Sequence, residues 1–392
     1  MDTRSSALFT YAISRDDRLA RQALLQFYNS FQPKIGLTAS RAPCHYLQTF
    51  SHFSLFWVCM LTDHYEQFGD KEFVSDFLPI VDAILYTFGS RLDEITGLLR
   101  ISQLAGDWEF VDWSSSYKPF VVLPAAKDTG YLTYTNQLFA YTLQRLSSLE
   151  LSLGKPSRTD EHKHQAELIV QAVRSHCFDG TCFTDRLTTF ANHTHYSEHC
   201  QIWAVLCGAV TGKDASDLLN RSLGLQTKVE DERAHKFTQV SIAMAFYSLR
   251  ALSIVGDRAY EAQFLSFWAP WRKQLGLHSA IWVEDHITQR SDCHGWGSLP
   301  LYEYTVEVAG FKLAMINGER VLVFKPRVGL SKAFEAIVPV SGTWQKDQNN
   351  EVVLNLSCEN EGGEMEEVKQ LPVHIILSNR QEEVLGALSK KQ

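Results

Sequence analysis

Phe50-Ser51-His52-Phe53-Ser54-Leu55-Phe56-Trp57-Val58-Cys59-Met60-Leu61-Thr62-Asp63-His64-Tyr65-Glu66-Gln67-Phe68 is apolar on nearly every side of a helix, and Gly69 follows it. A helix that is hydrophobic all round must be buried all round, and a glycine just past its end supplies the left-handed stop. The segments on either side are striped instead. Leu19, Ala23 and Phe27, with Leu24, Tyr28 and Phe31, form one apolar stripe that a Pro33-x-x-Gly36 turn closes. Leu146, Leu149 and Leu153 form another, which ends at Gly154 with Pro156 just beyond. Ala166, Ile169, Val170 and Val173 make the next, and Val240, Met244, Tyr247 and Ala251 one more, ended by Gly256. Very apolar helices alternating with amphipathic ones predict two concentric layers of helical hairpins, the apolar members inside. A plain bundle or a solenoid is the rival, but no self-similarity at a period of about 30–45 residues is visible.

From about residue 311 the period changes from helical to two. Arg320 to Phe324, Glu335 to Val340 and Val373 to Leu377 read as strands. Val352, Leu354, Leu356 and Cys358 alternate cleanly, and Asn349-Asn350 is a hairpin turn facing Thr343 to Gln345. The expected organisation is a helical domain over residues 1–310 and a small antiparallel β-domain of sandwich type over residues 311–392.

The 392 residues are enough for one large domain and a small one, and a hydrophobic share of 45% with 21% charged residues describes a globular chain. A net charge of -8 argues against nucleic acid or an anionic membrane as partner, because both demand a basic footprint. The expected partner is a small-molecule substrate, and the oligomeric state is left open. Nine Trp, fourteen Tyr and twenty-three Phe suit a sugar-stacking or apolar pocket, although core packing accounts for most of them. The eight Cys include no Cys-x-x-Cys pair, so neither a zinc site nor a thioredoxin-type site is expected, and no cofactor is called for. Met1-Asp2-Thr3-Arg4 lacks the features of a signal peptide and no apolar run is long enough to span a membrane, which together read as cytoplasmic.

Three polar segments interrupt the helices. Gly106-Asp107-Trp108-Glu109-Phe110-Val111-Asp112-Trp113 carries three carboxylates and two indoles in eight residues. Sugar sites use that pairing, since the ring stacks on the apolar sugar face while acids accept hydroxyl hydrogen bonds; a helix N-terminus that favours acids is the other reading. Trp282-Val283-Glu284-Asp285 and Arg290-Ser291-Asp292-Cys293-His294-Gly295-Trp296 place Glu284 and His294 on a loop bracketed by Trp282 and Trp296. A carboxylate beside a His suits general-base work on water, and a plain surface loop is the alternative. His193-Thr194-His195-Tyr196-Ser197-Glu198-His199 matches no zinc signature, so His195 is expected to hydrogen-bond at a pocket mouth and no metal is expected.

Taken in order, Gly69-Asp70, Trp108 to Trp113, Trp282-Val283-Glu284, Ser291 to Trp296 and the closing β-domain resemble the α-L-rhamnosidases of glycoside hydrolase family 78, particularly fungal-type members. The resemblance covers residue 2 to the end. It implies a mainly α fold, an incomplete (α/α)6 barrel lacking its first helix and followed by the small antiparallel β-sandwich. It also implies inverting hydrolysis of terminal L-rhamnose, which needs two carboxyl groups roughly 6.5–9.5 Å apart. Glu284 matches the family's general base, Trp108 a sugar-stacking Trp and His294 a pocket His. Asp2 matches an Asp that follows the family's general acid, so that acid is expected to lie ahead of Met1. Asp107, Glu109 or Asp112 are the carboxylates available to replace it. The expected catalytic residues are therefore Glu284, His294 and Asp112. Asp2, Asp107, Trp108, Glu109, Trp113, His195, Trp282 and Trp296 are expected to bind substrate. The expected function is that of a repurposed, non-hydrolytic enzyme that cyclises or eliminates from a small hydrophobic metabolite, as in secondary metabolism. The alternatives are a working α-L-rhamnosidase and a sugar- or metabolite-binding protein without turnover.

Overall fold

The computed structural model describes residues 1–103, 107–114, 117, 129–189, 195–224, 237–284, 291–327 and 330, and the backbone of strands at 333–337, 341–346, 352–357 and 373–375. Helices run as antiparallel pairs: α1 (Asp2–Ser14) with α2 (Arg18–Asn29), then α3 (Ser51–Phe68) with the short α4 (Lys71–Ser75) and α5 (Leu78–Gly89). The pairs α6 (Thr133–Ser152) with α7 (Pro156–Cys177) and α8 (Glu198–Leu206) with α9 (Gly212–Ser222) follow. After α10 (Ala245–Val255) come α11 (Asp257–Phe267) and α12 (Ala269–Gly276), then α13 (Leu299–Tyr302), which continues into one wide π-helical stretch, Glu303–Val308.

Burial sorts these helices into the two layers expected. In α3, fourteen of eighteen residues are buried, whereas α2 buries only Ala20 and Leu24, so α3 is an inner helix and α2 an outer one. Leu19 departs from its expected stripe and is exposed, because α2 turns its Ala20–Leu24 edge inward, where the Leu24 carbonyl accepts from the Trp57 indole at 3.2 Å.

The inner helices close a ring, and each joint is a named contact. Arg4 on α1 pairs with Asp63 on α3, and Cys59 on α3 meets Thr142 on α6. Gln137 on α6 donates to the Cys200 carbonyl on α8, and Trp203 on α8 lies against Tyr247 on α10. Arg250 on α10 grips Glu303 and Glu307, and Tyr302 packs on Phe9 of α1. Six inner segments thus surround the axis, and α2, α5, α7, α9 and α11–α12 lie outside them among the described residues.

Beyond the ring lie the strands β3 (Phe311–Ile316), β4 (Glu319–Phe324), β5 (Ala333–Ile337), β6 (Ser341–Lys346), β7 (Val352–Ser357) and β8 (Val373–Ile375). Tyr196–Ser197 (β1) and Phe237–Thr238 (β2) form a separate parallel pair within the helical part. β5, β6 and β7 form an antiparallel sheet in which Thr343 faces Asn355 and Trp344 faces Leu354, the hairpin read from the alternation. In the other sheet β3 and β4 are antiparallel, but β8 pairs with β4 in parallel, so the expectation of purely antiparallel pairing is corrected. Among the described residues three strands separate β4 from β8 in the chain, a connection long enough for a parallel crossover. The parts of the expected strands and turn at Val338 to Val340, Asn349-Asn350 and Cys358 lie outside the described residues, as do Ile376 and Leu377 just after β8.

The β3–β4 hairpin is tied to α3. The Met315 N–H donates to Glu66 at 3.0 Å, and Arg320 donates to the Glu66 and Gln67 carbonyls. Gly69 ends α3 at φ 73°, and a Cβ there would lie 2.2 Å from the Arg320 guanidinium, so the position needs glycine for both backbone and space. Arg327 reaches back to Glu307 and Asp257, so buried charge joins the strands to the ring. Removing one partner of such a network strands the others away from water. Arg250→Ala is expected to lower stability by about 3 kcal/mol or more, read as the urea midpoint. Arg250→Lys should recover only part of it.

Candidate active site

The site is assembled from the two extremities of the helical part. Asp2 stands in the first turn of α1, and its Oδ1 accepts from His294 Nε2 at 3.1 Å across 292 positions of sequence. The other ring nitrogen, Nδ1, lies 3.7 Å from Glu284 Oε2. The imidazole rests on Trp296, ring centroids 3.8 Å apart, and the Trp296 indole donates to the Glu284 carbonyl at 3.0 Å. Local pairing makes this possible: Glu284 N–H donates to the Ser291 carbonyl and His294 N–H to that of Trp282, both at 2.8 Å. Gly297 lets Trp282 close over the turn, since a Cβ there would sit 2.2 Å from the indole side chain.

The facing wall comes from the N-terminal end of α3 and the segment before α6. Trp108 N–H donates to the Thr49 carbonyl at 3.1 Å, and Trp108 and Phe110 both pack on Phe50. Asp2, Trp108, Trp113, Glu284, His294 and Trp296 line one cavity of about 730 Å³. Phe27, Phe50, Phe53 and Phe110 add apolar wall, and Ser40, Arg41 and Gln48 also line it. Sequence reasoning missed these seven as site residues. Phe50 and Phe53 were read only as core; their place at the N-terminal end of an inner helix, Phe50 as its N-cap and Phe53 in its first turn, is the signal that marks them.

The remaining expected site residues are placed elsewhere, and each has a structural reason. Asp112 is fully buried, with one oxygen 2.7 Å from His199 Nε2 and 2.8 Å from the Ser241 N–H and the other bound by the Ser241 hydroxyl and the Trp113 N–H. Glu109 is buried against Arg91 at 3.0 Å and His52 at 3.1 Å. Asp107 accepts the Ser51 N–H at 3.0 Å and so caps α3. His195 is exposed, and its carbonyl accepts from Asp185 N–H. Trp282 supports the loop from behind. None of these five lines the cavity. Asp285 and Arg290, quoted with the loop, lie outside the described residues.

Electrostatics separate the carboxylates by task. Burial works to raise the pKa of Asp2, but the hydrogen bond and charge of His294, the neighbouring amino group and a backbone hydrogen bond together hold this carboxyl below its ordinary range. Burial pushes Asp107 up. Burial also works against the charge on Glu109, but the His52 hydrogen bond and the Arg91 charge overcome it and hold this group down at about 2. Glu284 beside a ring anchored by Asp2 has the geometry of a general base, able to take a proton from a ligand or a bound water. Among the described residues no group of three or more His, Cys, Asp or Glu side chains is placed to hold a metal ion. No described helix is long and apolar enough to cross a membrane. A depressed carboxyl contributes stability that is present above its unfolded value and lost as pH falls through the folded one. For Glu109, between 4.5 and about 2, that amounts to about 3 kcal/mol. Glu109→Gln is therefore expected to lower neutral-pH stability by that order and to flatten the acid limb between those values, measured by urea unfolding across pH.

No protein-family model matches this sequence, and the curated proteins contain no match to it. Solved structures do match in fold. The rhamnosidase of glycoside hydrolase family 78 from Bacillus sp. GL1 superposes with a TM-score of 0.78 at 18% identity, over 97% of this chain and 38% of that one. A rhamnosidase from Klebsiella oxytoca with rhamnose bound matches at TM-score 0.58 and 16% identity, over 77% of this chain and 56% of that one. The Streptomyces avermitilis α-L-rhamnosidase complexed with L-rhamnose matches at 0.63 and 17%, over 90% of this chain and 33% of that one. The chain spans less than two thirds of the length of each of these proteins, and what it shares with them is the fold of the family 78 α-L-rhamnosidases.

Proposed function

We propose that this protein is an enzyme built on a rhamnosidase scaffold that performs base-assisted, non-hydrolytic chemistry, a cyclisation or an elimination, on a small hydrophobic metabolite. One observation carries the reading. Among the described residues the carboxylates that line the cavity are Glu284 and Asp2, both against His294, and on this reading Glu284 supplies the base. Asp2 is bonded to His294 and held below its ordinary range, and Asp107, Glu109 and Asp112 are engaged away from the cavity. A glycosidic oxygen with an alkyl leaving group needs a proton as it leaves, and general acid–base help is worth about 10²- to 10⁴-fold. Elimination of a group that leaves as a stable anion, or a ring closure in which the proton taken by Glu284 is returned to the product, needs instead a positioned base and a wall that fixes the ligand's shape, to which the rings of Trp108, Trp113 and Phe53 contribute.

Hydrolysis of α-L-rhamnosides is the second reading, favoured by the shared scaffold and by two similar proteins having been solved with rhamnose. The discriminating experiment offers the purified protein p-nitrophenyl α-L-rhamnoside, a natural rhamnoside with an alkyl leaving group, and a panel of terpenoid and polyketide intermediates. Nitrophenol asks for little protonation when it leaves, so even a site without an acid can release it. The expected result is little or no sugar release and a new product from the panel, lost on Trp108→Ala. Rapid cleavage of the natural rhamnoside, abolished by Glu284→Gln, would overturn this reading in favour of hydrolysis.

A further inference from the structure

We propose that this protein binds a small oxyanion, an inorganic phosphate or sulfate or a short carboxylate, in a second cavity at the strand end of the ring, held by Arg4, Arg145 and Arg250. The site is separate from the active cavity and does not depend on how that cavity is read. Phe53 lines the active cavity and Glu66 the second one, about 20 Å apart along α3. The second cavity has a volume of about 150 Å³, room for a few waters or one small ion. Its wall is drawn from α1, α3, α6, α10, α13 with its π-helical continuation, and β3, so five of the six inner segments meet at it.

Three donors without acceptors are the first ground for it. Arg4 Nη1, Arg145 Nε and Arg250 Nε are buried and have no hydrogen-bond partner, although all three residues line this one cavity. Their other nitrogens are spent on the joints of the ring: Arg4 and Arg145 on Asp63, Arg145 also on Glu66, and Arg250 on Glu303 and Glu307. A buried N–H of a charged group costs free energy when it lacks an acceptor, and three of them from three helices around one space ask for one there. Charge is the second ground. The wall carries five cationic side chains, Arg15 and Lys312 joining the three arginines, against two carboxylates, Asp63 and Glu66; Gln67, Tyr11, Tyr141 and Tyr302 are its neutral polar members. Arg15 is exposed and Lys312 half-buried, so the inner charge is that of the three arginines. Following every ion pair that starts on the wall, Arg327 and Lys325 bring the cations to seven, and Glu303, Glu307 and Asp257 bring the carboxylates to five. Burial pushes Glu303 up to about 7, which leaves it only partly ionised at neutral pH. Burial, and after it the charge of Arg320, lowers the pKa of Arg15, which meets another cation there instead of a carboxylate. An oxyanion gives the donors acceptors and offsets the excess charge together; water or a neutral ligand does only the first.

The test follows the thermal midpoint of the full chain as sodium phosphate, sodium acetate or acetamide is added, each against sodium chloride at equal ionic strength. A rise that saturates and reaches about 2 °C or more by about 10 mM is expected with phosphate or acetate, and none with acetamide, which has the shape of acetate without its charge. The stronger of the two anions identifies the occupant as inorganic or as a carboxylate. Replacing Arg4, Arg145 or Arg250 would break joints of the ring, so the informative variant is Arg15→Gln combined with Lys312→Gln. It is expected to raise the concentration of half effect by about 5-fold or more and to leave the ligand-free midpoint within about 2 °C of the parent. Crystals soaked in selenate, an oxyanion visible by its anomalous scattering, should show the ion within hydrogen-bond reach of at least two of Arg4, Arg145 and Arg250. No saturating rise over chloride with either anion, a rise unaltered in the double variant, or selenate bound only elsewhere would each overturn the proposal.

Discussion

The pair between Arg4 and Asp63 is the constraint on which the rest of the molecule turns. Arg4 is 3% exposed, and its Nε and Nη2 grip the two oxygens of Asp63 at 2.6 and 3.1 Å. The same carboxylate takes Arg145 at 2.9 Å, and Arg145 in turn holds Glu66 at 2.7 Å, so α1, α3 and α6 are locked in register by four side chains. Glu66 then receives the Met315 N–H of β3. Burying ions is expensive, and a buried pair is weak evidence for raw stability; what a network of this kind specifies is one arrangement over its competitors. Here that arrangement sets the rotation of α1. Asp2 lies about half a helical turn ahead of Arg4, so fixing Arg4 delivers Asp2 to His294.

Seen from the cavity, the segment from Asp107 to Trp113 divides by side. Trp108, Phe110 and Trp113 face the ligand space, while Asp107, Glu109 and Asp112 turn away to cap α3, pair with Arg91 and His52, and bind His199 and Ser241. The carboxylates brace the indoles rather than joining them in the site. Local sequence cannot reveal this, because acids and indoles alternate in one short run and both suit a sugar pocket. The deciding partners, Arg91, His52 and His199, lie far off in the chain. A buried acid with two charge-assisted bonds and a half-exposed catalytic acid look identical until those partners are placed.

The layered helices were legible because their burial is extreme: α3 is apolar on every side and α2 on one edge, and periodicity reports that contrast. Of the α2 stripe only Leu19 departs, its place taken by Ala20, while Leu24 is buried and Ala23, Phe27, Tyr28 and Phe31 pack against the core as read. The hairpin of β6 and β7 was legible from alternation, but the parallel seat of β8 was not, because pairing partners far apart in sequence leave no local mark. In the loop from residue 33 to residue 49, which brings Ser40, Arg41 and Gln48 to the cavity, only the Pro33-x-x-Gly36 turn was legible. The loop holding Glu284 and His294 was legible as polar residues bracketed by indoles. Its hydrogen bond to Asp2, at the opposite extremity, follows only from the closure of the ring.

The central claim is that closure of the inner ring brings Asp2, His294, Glu284 and Trp108 to one ligand cavity. A crystal structure of the full chain soaked with L-rhamnose tests it most directly. The account predicts a ligand against the Trp108 ring within hydrogen-bond reach of Glu284, with the His294–Asp2 bond intact. A ligand bound elsewhere on the ring, or Glu284 and Trp108 on opposite faces of it, would contradict the account.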